Sequence, residues 1–416
     1  MVFVLLLLAS QVDSLSLEQA IDIALAQSPA YYESKYSYEK SRILYYQTLA
    51  NVLPTVSAVA TYTTSEVQNT TSDAYGWSLS LNQPIFDLDI ISSIFVNNRQ
   101  LRGSRIQHQS NIADLMLRVK TAYYNLISAY GLLRSSEITI QRAEENLKLI
   151  ETKFELGAAS RLEKLQAEVF YLSALQDRAR ARTSQITAQE ELRAVLATGH
   201  DIFPVDSLVP PGQVQFPTLD SLAVLLERAN YAVRIAREAR NAAQFNLVAA
   251  YLSFLPRVTF FYGYSYSADS FVFDFQRYKD DAVKNYGISI QLPIFEIKTI
   301  VFNILSAKKE LQQQESSQLR YVLESQKSLN TAYYSLREAY ERLEFVSKSL
   351  DAATEATAIA REQYALGVVS FLDLLTVEKD LYEARVTYTS SLSEFYIQRA
   401  QLSYLLGGVT FAREGP

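Results

Sequence analysis

Two short stretches set a serine and then a carboxylate after a glycine: FELGAASRLEKL at 154–165 and YALGVVSFLDLL at 364–375. In each the acid lies three residues beyond the serine, as Ser160/Glu163 and Ser370/Asp373. That spacing suits a capping box, where the serine hydroxyl accepts from the acid's N–H and the acid accepts from the serine's N–H. Such a cap stabilises a helix start by about 1 kcal/mol. Gly157 and Gly367 would close the preceding helices by taking positive φ. The same carboxylates suit ion chemistry: copies of Glu163 and Asp373 gathered round an axis would form acidic rings that attract cations and narrow an opening. Like charges held close raise their own pKa values unless they are paired. The two roles are compatible, because a capping side chain can still face a bore.

Other reactive constellations are missing. His108 and His200 are the two histidines, without metal-ligand spacing, and read as solvated polar residues. SYEK at 37 and SAKK at 306 fit S-x-x-K, but the companion S-D-N and K-T-G motifs are absent. There are no cysteines, which removes disulfides, thiolate metal sites and a lipid-anchor cysteine. No phosphate-cradling glycine loop occurs, and neither a cofactor nor an enzymatic step is expected. A net charge of −6 without a basic run offers nucleic acid no footprint.

The elements that position the two turns come in duplicate. VLPTV at 52 pairs with FLPRV at 254, NQPIF at 82 with QLPIF at 291, and TAYYNL at 121 with TAYYSL at 331. The offset grows from 202 to 209 between the first two pairs and is 210 at the third, so the length change sits in one tolerant loop. Repeat 1 is read as 15–199 and repeat 2 as 218–408, joined by a linker at 200–217 and followed by a tail at 409–416. Residues 1–14 read as a truncated secretory signal. Each repeat runs helix, strand, strand, long helix, helix. A helical spacing over 17–51 ends before Pro54, and the long helices are placed at about 92–154 and 298–364, each roughly 95–100 Å long. Leu126, Leu133, Ile140, Leu147 and Phe154 recur every seven residues, the coiled-coil period.

Strands are expected at about 54–67, 74–86, 257–273 and 283–295. They alternate apolar with polar. Tyr62, Trp77, Leu79, Phe260, Tyr262, Tyr264, Ile288 and Ile290 fall on a greasy side, opposite Ser, Thr, Gly, Asn and Gln, with Phe261 as the exception. Aromatic-rich strands of this kind match lipid-facing walls of a membrane barrel. Four strands cannot close one, since an open edge in lipid leaves backbone groups unpaired. A dimer of eight strands, a trimer of twelve or a tetramer of sixteen would each satisfy parity. A soluble periplasmic coiled-coil scaffold or adaptor is the alternative, and it leaves the Tyr-rich strands unexplained.

The duplicated strand pair and long helix, the PIF after each pair and the LG-x-x-S-x-L-[ED] turn resemble the TolC-type outer-membrane efflux channels. The resemblance implies a mainly α chain with a membrane β-barrel contribution. It implies a homotrimer with a twelve-stranded barrel in the outer membrane of a Gram-negative bacterium, continued by an α-helical tunnel through the periplasm. Such a protein is a passive duct for small molecules or polypeptides, docked on a periplasmic adaptor and an inner-membrane pump. The resemblance puts Asp373 and Glu163 at the periplasmic aperture. It makes Gly157, Ala158, Ser160, Gly367, Val368 and Ser370 the tips that meet the adaptor; Ala158, Ala159, Val368 and Phe371, small or apolar, suit docking there and equally suit ordinary turn packing. After PIF this chain has Asp87 to Asp89 and Glu296 to Lys298 where many members carry paired glycines. Val369 and Thr376 stand where some carry an Arg and a second Asp.

Overall fold

The computed structural model describes residues 13–67, 70–270, 275–293 and 297–408. The elements are β1 (Asp13–Leu15), α1 (Leu17–Gln27), α2 (Pro29–Ala50), β2 (Thr55–Val67), β3 (Thr70–Phe86), α3 (Leu88–Glu155) and α4 (Arg161–Leu196). They continue as β4 (Ile202–Pro204), α5 (Leu219–Ala229), α6 (Tyr231–Leu252), β5 (Arg257–Ala268), α7 (Phe275–Asp280), β6 (Val283–Gln291), α8 (Ile297–Ala365) and α9 (Phe371–Leu405). Among the described residues no helix is long and apolar enough to cross a membrane.

Several boundaries differ from expectation. The first helix is two, because Ser28 caps α1 by donating its N–H to the Ala24 carbonyl at 2.9 Å, and Pro29 starts α2 at a position where a missing N–H costs nothing. The break recurs at Asn230 without a proline, so it is Asn230 that holds it: Nδ2 donates to the Leu405 carbonyl at 3.0 Å and Oδ1 accepts from Ser325 at 3.3 Å. Strand β3 starts at Thr70 rather than 74, β5 ends at Ala268 and β6 at Gln291. Helix α3 starts at Leu88 because Asp87 Oδ1 accepts from the N–H groups of Asp89 (2.9 Å) and Ile90 (3.4 Å). Asp87 therefore caps α3, and Arg257 pairs with both Asp87 and Asp89. Asp13 and Ser14, read as signal, belong to β1. Residues 1–12, 271–273, 294–296 and 409–416 lie outside the described residues.

The chain forms two compact units, and each draws on both repeats. One comprises residues 1–35, 108–231 and 323–416. Its small sheet pairs β1 with β4 in parallel. Asp206 Oδ2 accepts there from the Leu17 N–H (2.8 Å) and the Tyr123 hydroxyl (2.9 Å), and burial holds the Tyr123 phenol well above its usual range. The helices pack on a heptad seam of Leu115, Val119, Ala122, Leu126, Ala129, Ile140, Ala143 and Ile150. Helix α4 answers with Ala167, Ala174, Ala181 and Ala188, one every seventh residue and all buried. Small side chains let backbones approach closely. At Gly131 of α3 a Cβ would lie 2.8 Å from Thr389 Cγ2 of α9. Thr389 is β-branched and cannot swing clear cheaply. Gly131→Ala is expected to destabilise by about 1–3 kcal/mol through overpacking, read as a lower denaturation midpoint, whereas Gly103→Ala, with open space, should be neutral or stabilising.

The other unit, residues 36–107 and 232–322, carries an antiparallel sheet in the order β2-β3-β5-β6. Its register sets one face as rows: Val56–Leu81–Tyr262–Tyr286, Ala58–Leu79–Tyr264–Lys284 and Ala60–Trp77–Tyr266. The opposite face reads Thr55–Asn82–Phe261–Gly287, Ser57–Ser80–Gly263–Asn285 and Thr61–Gly76–Ser267. Trp77 and Tyr264 rings meet at 5.3 Å and Tyr62 and Tyr75 at 4.8 Å, cross-strand contacts that hold the register. A bulge at Ile85 interrupts the β3–β5 ladder, which resumes with Phe86 opposite Val258. Below the sheet, Arg99 pairs with Glu238 at 3.2 Å and lies over the Phe245 ring, itself stacked on Phe95.

Candidate aperture at the helix turns

Both turns are built alike. Gly157 (φ 74°) and Gly367 (φ 73°) donate to the Phe154 and Tyr364 carbonyls at 3.0 and 3.1 Å. The next residues, Ala158 and Val368, donate to Lys153 and Gln363 at 2.7 and 2.8 Å, which completes a Schellman motif in each. The chain then reverses and the box closes. Ser160 Oγ accepts from the Glu163 N–H at 3.1 Å, and Glu163 Oε2 accepts from the Ser160 N–H at 2.6 Å. Ser370 Oγ accepts from the Asp373 N–H at 3.1 Å, while Asp373 Oδ2 accepts from the Ser370 N–H (3.1 Å) and hydroxyl (2.7 Å). The hydroxyl and then the N–H of Ser370 hold the Asp373 carboxyl below its ordinary range.

Exposure separates the residues proposed for the tips. Ala158, Gly157, Val368, Gly367, Ser160 and Ser370 are exposed, and so are Leu156 and Leu366, at 77% and 79%. Of the two roles open to Phe371 the structure selects packing: it is 2% exposed and lies with Ile150, Ala167, Ala360, Leu374 and Leu375, away from any partner at the tip. Ala159 also packs against this cluster. Asp373 is exposed and Glu163 half-buried.

Behind the second turn lies a group that sequence reasoning missed. The Glu378 side chain is 4% exposed; its Oε1 accepts from Arg361 Nε (3.0 Å) and Nη2 (2.7 Å), and its Oε2 accepts from Asn146 Nδ2 (2.8 Å). This joins α3, α8 and α9. Burial, then Arg361 and Arg385, pull the Arg142 pKa down nearby. A signal existed in the sequence, since Glu378 interrupts the apolar stripe of Phe371, Leu374, Leu375 and Leu381. In the first repeat Glu151 and Glu168 stand at the positions of Arg361 and Glu378, and Lys164, at the position of Leu374, bridges the two acids at 3.6 and 4.0 Å on a more open surface. His108, read as solvated, is half-buried, and its Nδ1 shares a hydrogen bond of 2.8 Å with the Ser34 hydroxyl.

The sequence matches the family described as "Outer membrane efflux protein" over residues 20–198 and 222–408. The chain belongs to that family. This outer membrane efflux protein is similar to the alkaline protease secretion protein AprF of Pseudomonas aeruginosa, at 24% identity over 97% of this chain and 86% of the relative. It is similar to the outer membrane protein TolC of Vibrio cholerae at 23% identity, over 86% of this chain and 82% of the relative. Its fold matches a crystal structure of CusC with a TM-score of 0.84, at 18% identity, over 98% of this chain and 96% of that one. An outer-membrane channel fold is what these likenesses share, so the soluble scaffold falls away.

Proposed function

We propose that this efflux-family chain is the passive exit duct of a tripartite efflux or secretion system. Three copies close a twelve-stranded barrel in the outer membrane, continued by an α-helical tunnel through the periplasm. The turns at 157–160 and 367–370 meet a periplasmic adaptor, which links the duct to an energised inner-membrane pump. The chain itself performs no catalytic step, and its cargo is small molecules or polypeptides. The observation that carries this reading is the β2-β3-β5-β6 sheet, with an apolar face, a hydroxyl-rich face and two edge strands that pair with nothing among the described residues. In lipid such edges must be satisfied by further strands. Val56, Tyr62, Leu79, Ile288 and Ile290 on the apolar face are 41–68% exposed, surface that lipid would cover.

Expression of the chain in a sensitised bacterium lacking its own duct, with a compatible adaptor and pump, should restore dye export. Purified protein should conduct in planar bilayers.

At the aperture, Asp373 presents a charged ring and Glu163 a second one. Ser370→Ala should lower stability by about 1 kcal/mol and leave cation preference intact. Asp373→Asn should reduce cation preference in the bilayer recording. If both variants lower stability equally and neither alters cation preference, Asp373 is a cap alone. The pH dependence follows from the lowered carboxyl pKa: the stabilisation is full above the unfolded value of about 3.9 and is lost as pH falls through the lower folded value. Cation preference should accordingly persist at pH 5 and fade only below about pH 4.

A further inference from the structure

Phe261 breaks the alternation of the sheet and has been left without a role. It is the sole aromatic residue on the polar face among the paired, described positions; the residues beside it are Asn82, Thr259, Gly263 and Gly287, and the nearest apolar side chains on the rows above, Val59 and Val283, stand two rows away on the edge strands. Its row reads Thr55–Asn82–Phe261–Gly287, and Thr259 and Gly263 flank it on β5. The ring reaches across to β6 and rests on Gly287: a Cβ there would lie 3.1 Å from Phe261 Cζ and 3.3 Å from Cε1. Gly287 thus clears the space the ring occupies, and the residue remains half-buried rather than enclosed.

We propose that Phe261 is a specificity-determining contact for cargo bearing aromatic rings, an apolar step in a hydroxyl-lined bore. This rests on the polar face being the lumen. With one ring per protomer, three lie at the same level of the barrel, near its junction with the helices. Twelve strands about 4.8 Å apart and tilted about 40° give a radius of roughly 12 Å, so three rings laid along the wall cannot meet. They act as contacts and not as a seal. An aromatic solute passing this level can stack on the ring, and a cationic one gains the attraction of the π face as well. A saturated cation of the same size shares the charge attraction but forgoes the stacking, so stacking is what separates the two.

The test is current block in planar bilayers by two probes, tetraphenylphosphonium and tetrabutylammonium, on wild type, Phe261→Ser and Phe261→Leu. Leucine fills the space over Gly287 and keeps the sheet packed without a π face. Dwell times for tetraphenylphosphonium should fall on the order of fivefold in both variants, while those for tetrabutylammonium stay within twofold. Unchanged tetraphenylphosphonium dwell in Phe261→Leu, or an equal fall for both probes, overturns the proposal and leaves the ring as strand packing over glycine. The reading of the polar face is checked separately. The chain has no cysteine, so Ser80→Cys gives a single thiol in the next row of that face. Modification by an impermeant cationic thiol reagent should alter conductance. No change there removes the lumen assignment itself, whatever Phe261 does.

Discussion

Arg361→Ala is expected to cost about 3 kcal/mol of stability, seen as a clear drop in the guanidinium midpoint of the detergent-solubilised protein. The substitution strands Glu378 in a site where its side chain is 4% exposed and keeps only Asn146 as a direct partner. A buried charge left unpaired is worth several times an exposed ion pair such as Lys348–Glu344, whose loss should leave the midpoint almost unmoved. Glu378→Leu should be far milder than Arg361→Ala. It removes the charge together with the need for a partner, it continues the stripe of Leu374 and Leu381, and the freed Arg361 is 38% exposed and can hydrate. Equal losses in the two variants would mean that packing, not charge, governs this junction.

Leu79→Arg is the second large effect. Leu79 sits mid-strand between Ala58 and Tyr264, with its side chain on the apolar face. An arginine deep in lipid costs about 2–4 kcal/mol in a barrel wall. The variant should therefore give little heat-modifiable oligomer in the outer membrane. Ser80→Arg, one residue on and on the opposite face, should assemble and shift ion selectivity towards anions, because a bore tolerates charge. The reverse ranking would place lipid on the wrong side of the sheet.

Alternation in the strands was legible because a period of two needs only a few residues to show which side is greasy. The turns were legible too, since Gly and Ser at this spacing have few other uses in a helical context. Glu378 was visible as a break in an apolar stripe, but what it binds was hidden. Its partners come from positions 146 and 361, and sequence spacing cannot bring Asn146 within 2.8 Å of an acid 232 residues away. The alanine heptad of α4 was passed over because alanine is a weak hydrophobic signal, although close packing depends on its smallness. Asp87 shows a further limit: its place after PIF does not reveal that it caps α3 and takes an arginine from β5.

The strand order carries one more consequence. Strand β5 lies against β3, with Tyr264 beside Leu79, so the central ladder joins segments from different halves of the chain. Each compact unit is likewise assembled from both halves. The duplication that is so plain in the sequence is therefore not a division into separable folding parts. A chain ending after α4 would own the β2–β3 hairpin but lack the strand that covers its inner edge. Expressed alone, either half should be captured by chaperones or degraded, while the two halves co-expressed should find each other through β3 and β5. An ancestor made of one such unit would have needed a second copy in trans to supply that ladder, and fusion turned a meeting of two chains into the folding of one.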